Sequence, residues 1–453
     1  MASFAQARAT DAILRSPETK AALEYRFTAA DQALLDEVQC ACFAYFWKEV
    51  GTPAKLVKDR QKAPVSSIAA VGFQLSSLPI GVQRGWITRQ EGLERARTVL
   101  KSLIERKDNK KFGVYLHYPD VGTAGLSREG FEILASTVDH ALFVAGAIPA
   151  AEYFGGDIKS LVDRLIAQTN WKAYAGAPGG FLSMGWKPDD PDTIDGTGRF
   201  LDWRWWNASD EERLIYLLAV GSPNPDYAVE PEVYYRLKRP IKRYRDMPPY
   251  VVSWPGALFT YFFSHCWIDY GSLGPDDPSR LGVEAPRVDW FENSRRAVMT
   301  HRRRCIEQAR RFKTLAPDRW GLSACAARDG YIVPRVGPNL SEKDEWFEGT
   351  LAPYAAASAI MFAPAESLAA IRAYRSLNGA DGKPLVWRDP KGGGYGFVDS
   401  FNLDQDFVCD DYVGIDQGPM LLAIENARTG LIWKLFMQHD TVQRALKRLR
   451  LRP

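Results

Sequence analysis

The sequence predicts an all-α protein, an (α/α)6 barrel (toroid) with long loops forming a cleft at one end. Three observations carry that expectation. Apolar residues recur at helical spacing through most of the 453 residues. Period-two alternation is nearly absent, which leaves no room for a sizeable sheet. Apolar helices rich in Ala, Gly and Ser alternate with charged amphipathic ones, so about twelve helices divide into inner and outer sets. No fixed period in the range of about 20–50 residues recurs, which sets simple helical repeats aside. Residues 1–30 read as an N-terminal extension and 31–453 as a single catalytic domain.

The elements follow in order. Asp31 to Lys48 carries Leu34, Leu35, Val38, Phe43, Phe46 and Trp47 at helical spacing. Ser66 to Val82 is apolar on most faces, as an inner helix must be. Thr88 and Glu91 form a capping box that opens a helix to about Arg106. Ser136 to Phe154 and Asp157 to Asn170 are split by Gly155-Gly156. Asp210 to Val220, Ala257 to Asp269 and the charged Asp289 to Arg311 come next. Thr350 to Phe362 and Ala365 to Leu377 meet at Ala363-Pro364, and Gln417 to Leu435 and Asp440 to Arg448 close the chain. Five long segments (Gly176 to Ser209, Asn224 to Gly256, Gly271 to Val288, Lys313 to Gly349 and Asn378 to Asp416) are rich in Trp, Tyr, Gly, Pro and Asp. Loops that long in a compact domain are usually functional, and these are expected to wall the cleft.

Composition narrows the partners. Lys+Arg 58 against Asp+Glu 55 leaves +3, too near neutral for a polyanion partner. Basic clusters at Arg236 to Arg245, Arg302 to Lys313 and Arg444 to Arg452 therefore read as solvated helix faces, and no nucleic acid is expected. No apolar run approaches the roughly 20 residues of a membrane span. Six cysteines and five histidines show no zinc spacing. Asp189 to Gly196 places Ile194 where a calcium loop needs a ligand. Gly392 to Gly394 follows no strand and opens no helix, so it is no phosphate loop. No metal or cofactor is expected. The first residues lack an apolar leader core, so the chain reads as cytoplasmic as it stands, or periplasmic or secreted if a leader has been removed.

The aromatic content is unusual, with 14 Trp, 19 Tyr and 22 Phe. Indoles beside carboxylates suit sugar rings, whose apolar faces stack while their hydroxyls seek hydrogen bonds. For any single Trp a place in the core is the commoner outcome. The sharpest local feature is Trp203-Arg204-Trp205-Trp206 running into Asp210-Glu211-Glu212 at the start of an apolar helix. Helix capping and dipole pairing would explain the acids. A Glu held among indoles would equally have a raised pKa and suit a general acid. Asp139 and His140 form an ionisable pair on an apolar inner helix. His265 and Asp269 are spaced to share one helical face. Asp399, Asp416 and Gln417 add polar groups ahead of the last inner helix.

Ten stretches in order carry a resemblance: SSIAAVGFQLSSLPIGVQRGWIT, STVDHALFVAGA, FLSMGWKP, LIYLLAVGSP, LFTYFFSHCWIDY, DWFENSRRA, WGLSAC, GTLAPYAAASA, YGFVDSFNL and DYVGIDQGPMLLAIENARTGLIWKLFM. From about Ala41 to Met437 the chain resembles the bacterial glucoamylase-like family that includes glycoside hydrolase family 144, the β-1,2-glucanases. The resemblance implies an (α/α)6 barrel, β-1,2-glucan as typical substrate and an anomer-inverting mechanism. It places the general acid at Glu211 and the candidate base at Asp399, and it puts Asp139, His265, Asp269 and Asp416 in cleft motifs that hold sugar hydroxyls. Asp139 is the first alternative for the acid should Glu211 not fill that role. The further sugar contacts expected are Trp186, Lys187, Trp205, Trp267, Trp320, Tyr395 and Gln417. Two features depart from the family. Leu134 stands where members commonly carry Glu, with Glu132 nearby, and the segments Arg199 to Ser209 and Gly271 to Val288 are atypical. A glycosidase or transglycosylase of the same scaffold acting on a different short oligosaccharide, or a catalytically silent glycan-binding protein, are the alternatives.

Overall fold

Helix-forming stretches punctuated by caps and glycines organise the chain. The computed structural model describes residues 12–127, 132–176, 179–340 and 345–452. Residues 1–11, read above for a leader, lie outside these. Helix α1 (Pro17–Leu23) starts at the Ser16 cap, and α2 (Ala29–Lys48) at a capping box of Thr28 and Asp31. Helix α3 (Ile68–Gln83) is buried continuously from Ile68 to Gly81. Helix α4 (Arg89–Ile104) opens on the expected box of Thr88 and Glu91. Then come α5 (Thr137–Phe154), α6 (Gly156–Gln168), the single turn α7 (Trp171–Tyr174), α8 (Asp210–Val220) and the short α9 (Glu232–Arg236). The second half holds α10 (Tyr270–Leu273), α11 (Trp290–Gln308), α12 (Pro353–Ser358), α13 (Pro364–Ser376), α14 (Gly414–Thr429), α15 (Leu431–Met437) and α16 (Asp440–Leu449). The strands are short, and among the described residues they pair only into two- and three-stranded sheets within the loops. The fold is mainly helical.

The buried helices pack on one another and the amphipathic ones lie outside them. Helix α3 packs on α5, α5 on α8, and α8 on the segment 258–266. That segment packs on α14, which also contacts α12 and α3. Phe262 meets Tyr354 of α12 edge-on at 6.2 Å. Helices α4 and α6 back α3 and α5, α11 backs residues 258–261, α13 backs α12, and α16 lies on α8. The tightest contact is between α3 and α5. A Cβ on Gly146 would sit 1.9 Å from Gly72 O, and one on Gly72 would sit 2.3 Å from Leu142 O. Only glycine at both positions lets these backbones touch.

Three expectations need correction. Ala257 to Asp269 is not one helix but two 3-10 turns, Leu258–Tyr261 and Ser264–Cys266, followed by α10. The run Phe259-Thr260-Tyr261-Phe262-Phe263 has weak helix preference, and the Asp210 carboxylate takes the Ser264 N–H. Gln417 to Leu435 starts earlier, at Gly414, and breaks where Gly430 adopts a left-handed φ of 67° between α14 and α15. The segment Gly271 to Val288 does not join the other long loops. Its turn 278–281 packs on α9, and Arg280 Nη1 donates to Arg450 O beyond α16, away from the carboxylate cluster.

The segments preceding the buried elements hydrogen-bond to one another at the helices' amino ends. Gly414 N–H bonds to Asp59 O, Ser66 to Pro119, His117 to Leu134 and Thr137 to Met184. Leu258 N–H bonds to Leu322 O, Ala352 to Gly321 and Leu351 to Phe401. The residues from Ile13 to Leu23 lie along α11. Ile13 bridges Val288, and Ser16 and Thr19 donate to Glu292. No helix among the described residues is long and apolar enough to cross a membrane.

Candidate active site

Carboxylates collect at the amino ends of α5, α8 and α14, where exposed N–H groups and the helix dipole favour negative charge. Helix α8 opens Asp210-Glu211-Glu212 after the Ser209 cap. Asp210 is turned into the core, accepting from Ser264 Oγ at 2.8 Å and Arg213 Nη2 at 2.5 Å. Glu212 is buried and accepts from the Ser209 hydroxyl. Glu211 lies between them and keeps part of its surface open. Burial holds its carboxyl well above the usual range, and the charges of Glu212, Asp139 and Asp210 push it further. Asp139, in the first turn of α5, accepts from the Ser136 hydroxyl, with His117 Nε2 3.5 Å from its Oδ1. Glu211 therefore holds its proton more tightly than an ordinary carboxyl does.

The second group of acids stands on the loop before α14 and on its first turn. Asp399 is 3% exposed, and its Oδ2 accepts from Ala326 N at 2.6 Å. Asp416 is 2% exposed. Burial raises both carboxyls, and hydrogen bonding between them favours the ionised form of Asp399 and the neutral form of Asp416. Arg60, just before α3, has its Nε 3.5 Å from Asp59 Oδ2 and its guanidinium 5.7 Å from the Tyr331 ring centroid. Its charge draws Asp59 and Asp399 towards ionisation against their burial.

The structure thus brings Glu211 and Asp139 into one charge cluster, and Asp399 and Asp416 into another. Most of the expected sugar contacts go elsewhere. Trp267 is fully buried, tilted against the Phe73 ring at 4.9 Å, with Nε1 donating to Ser76 Oγ at 2.9 Å. Trp320 is equally buried. Trp186 lies in the core with Lys111 Nζ 4.4 Å from its ring. Tyr395 donates to Glu49 Oε1 at 2.7 Å within a Tyr45–Tyr412 cluster, and Gln417 donates to Phe397 O at 3.1 Å. These five are packing residues. His265 does not share a face with Asp269. It is buried between Ser294 (2.9 Å) and Asp210 (3.5 Å), and burial keeps it neutral. Asp269 instead caps α10, accepting from Ser272 N at 3.1 Å. The broken 258–266 segment is the reason the pair separates. Asp416, nearly inaccessible, faces Asp399 rather than open solvent. Lys187 stays on the surface, paired with Glu132 Oε1 at 2.8 Å, and Trp205 is half-buried with Nε1 donating to Thr137 Oγ1 at 2.8 Å.

Sequence reasoning missed Asp59, Arg60, His117 and Tyr331. The first three lie on segments 49–65 and 107–135, between the expected helices. The one available signal was a charged pair, Asp59-Arg60, directly ahead of the most apolar helix. The exposed indoles also differ from those expected: Trp203, Trp206, Trp254 and Trp346, beside the half-exposed Tyr331. Among the described residues, no group of three or more His, Cys, Asp or Glu is placed to hold a metal ion.

A mainly helical scaffold with acids gathered at the amino ends of its buried helices defines the class of glucoamylase-like helical proteins. The chain belongs to the Glycoamylase family: residues 203–440 match the family described as "Putative glucoamylase". An exo β-1,2-glucooligosaccharide sophorohydrolase (non-reducing end) of Parabacteroides distasonis is 28% identical over 462 residues. That match covers 95% of this chain and 59% of the relative, so the chain spans under two thirds of the relative's length. A solved structure of the same glucoamylase description, from Bacteroides uniformis, superposes with a TM-score of 0.76 at 26% identity, covering 94% of this chain and 98% of that one. A β-1,2-glucanase structure from Parabacteroides distasonis gives 0.75 at 25% identity, covering 94% and 60%.

Proposed function

We propose that the protein is a glycoside hydrolase that cleaves β-1,2-glucan, with Glu211 as general acid and Asp399 as general base. The observation that carries this reading is Glu211, a partly open carboxyl at the start of α8 whose burial and acidic neighbours make its proton harder to remove. A sugar alkoxide is a poor leaving group, and a proton delivered as the bond breaks is what its departure needs. Relatives named for β-1,2-glucan supply the linkage. Near-neutral net charge and exposed indoles suit a neutral, hydroxyl-rich polymer.

In this reading the buried helices α3, α5, α8, the 258–266 segment, α12 and α14 form the inner set of an (α/α)6 barrel in a single domain. Helix α3 packs on α5, α5 on α8, α8 on the 258–266 segment, and α12 on α14, which returns to α3, while the Phe262–Tyr354 ring pair joins the segment to α12. The reaction inverts the anomeric centre: Asp399 takes a proton from water, the hydroxide adds opposite the departing sugar, and Glu211 protonates the leaving oxygen. Inversion calls for carboxyls about 6.5–9.5 Å apart. A second reading makes Asp139 the base, because its charge acts on Glu211 and its side chain is 15% exposed. A panel of β-linked glucans with chromatographic product analysis tests the substrate. Release of short products from β-1,2-glucan supports it. Turnover of another glucan with none from β-1,2-glucan overturns the linkage, and binding without turnover overturns the enzyme.

A further inference from the structure

We propose that Asp416 is a positioning residue for Asp399: a carboxylic acid whose O–H donates to the Asp399 oxygen facing it, so that the pair carries one charge. The proposal rests on Asp399 acting as the base in the reaction proposed above. Asp399 Oδ2 is held by the Ala326 N–H, while its Oδ1 is buried with no other protein donor in hydrogen-bond geometry. Both carboxyl oxygens of Asp416 are buried in the same condition. The elements bearing the two acids are clamped together. Gln417 Nε2 donates to Phe397 O, two residues from Asp399, and Gly414 N–H bonds to Asp59 O beside Arg60.

Two buried carboxylates side by side, three of whose oxygens have no protein donor, repel each other if both are ionised. One proton held between them satisfies both, as O–H···O⁻. The surroundings decide which residue keeps it. The Ala326 N–H favours the charge on Asp399, while Arg60 draws both acids towards ionisation. The Tyr354 hydroxyl faces Asp416, but it also lies 3.0 Å from Ala324 O, a carbonyl that can only accept its single hydrogen, and 2.9 Å from Ser323 Oγ. Asp411, Tyr331, Cys325 and Cys409 complete the titratable groups around the pair, and each is harder to ionise, or adds negative charge, beside Asp399. Asp416 therefore keeps Asp399 ionised and fixes its rotamer.

The test compares Asp416→Asn and Asp416→Ala in kcat, KM and the acid limb of the pH–rate profile. It uses the glucan that the wild type turns over. Asn places an N–H where the acid O–H stood; Ala leaves the Asp399 oxygen bare. Asp416→Ala is expected to lose about 10²-fold in kcat below neutrality, with little change in KM. Its acid limb should move to higher pH, because Asp399 without its donor binds a proton more readily. Asp416→Asn should restore most of that loss and return the limb. Asn as damaging as Ala, or Ala with a wild-type profile, overturns the proposal.

A second readout needs no activity. Asp416 stays protonated in the fold where the unfolded chain releases its proton, so the wild type loses stability as pH climbs above the ordinary carboxylate range. Asp416→Asn escapes that loss, and its Tm advantage should widen between about pH 4 and 8. A constant difference overturns the shared proton. A widening difference in a protein that hydrolyses no glucan overturns only the proposed function.

Discussion

Three consecutive acids begin α8, and their surroundings give each a different duty. Asp210 ties the 258–266 segment and Arg213 together. Glu211 keeps part of its surface open, and Glu212 is sealed beside Ser209. Burial lifts Glu212 from its ordinary 4.5 to about 8. It stays neutral in the fold while the unfolded chain ionises, so stability falls as pH rises through that window. Glu212→Gln removes the titration. Its Tm should match wild type near pH 4 and exceed it by a few degrees near pH 8, as differential scanning calorimetry would show. A pH-independent difference would contradict the assignment. The two candidate bases separate by chemical rescue. With an activated aryl glycoside, azide can replace the water that a missing base no longer activates. Asp399→Asn should regain turnover with azide and form a glycosyl azide, whereas Asp139→Asn should not. The reverse pattern would transfer the role to Asp139.

At the scale of elements, the contact between α3 and α5 sets where Asp139 stands. Gly146→Val drives a side chain into the Gly72 carbonyl, and α5 must shift to relieve it. Overpacking at its severe end costs about 3 kcal/mol, which should appear as a lower urea midpoint. An unchanged midpoint would mean that the helices are not held at this distance. Elements governed by neighbours in sequence were legible in advance. The capping box at Thr88 and Glu91 and the all-round apolar α3 both appeared where periodicity put them. The 258–266 segment was not, because its helix is broken by a carboxylate more than forty residues away, at Asp210. The same long-range contact separated His265 from Asp269.

For the molecule as a whole, membership of the glucoamylase-like family was legible from ordered motifs, and so was Glu211 at the start of an apolar helix. The composition of the acid clusters was less so. Asp59, Arg60, His117 and Tyr331 come from segments without periodicity, and only the assembled helix ends bring them near Asp139, Asp399 and Asp416. Counting Trp was informative, but placing each one was not. Trp186, Trp267 and Trp320 fill space among helices, while Trp203, 73% exposed, lies eight residues before Glu211. If Trp203 stacks on a bound sugar, truncation removes about 0.5–1.5 kcal/mol of contact. Trp203→Ala should then raise KM for longer chains by about 2–10-fold with kcat nearly unchanged. A fall in kcat at constant KM would instead place Trp203 among the groups that shape Glu211.

The central claim is that Glu211 protonates the leaving sugar of β-1,2-glucan. Its most direct test is the rate of Glu211→Gln against wild type on two substrates, β-1,2-glucan and an aryl glycoside with a nitrophenolate leaving group. Gln keeps size and hydrogen bonding but has no proton to transfer. The glucan rate should fall by about 10²–10⁴-fold, while the aryl glycoside, whose leaving group departs unprotonated, should lose far less. Equal losses on both substrates, or near-normal hydrolysis of the glucan, would contradict the account.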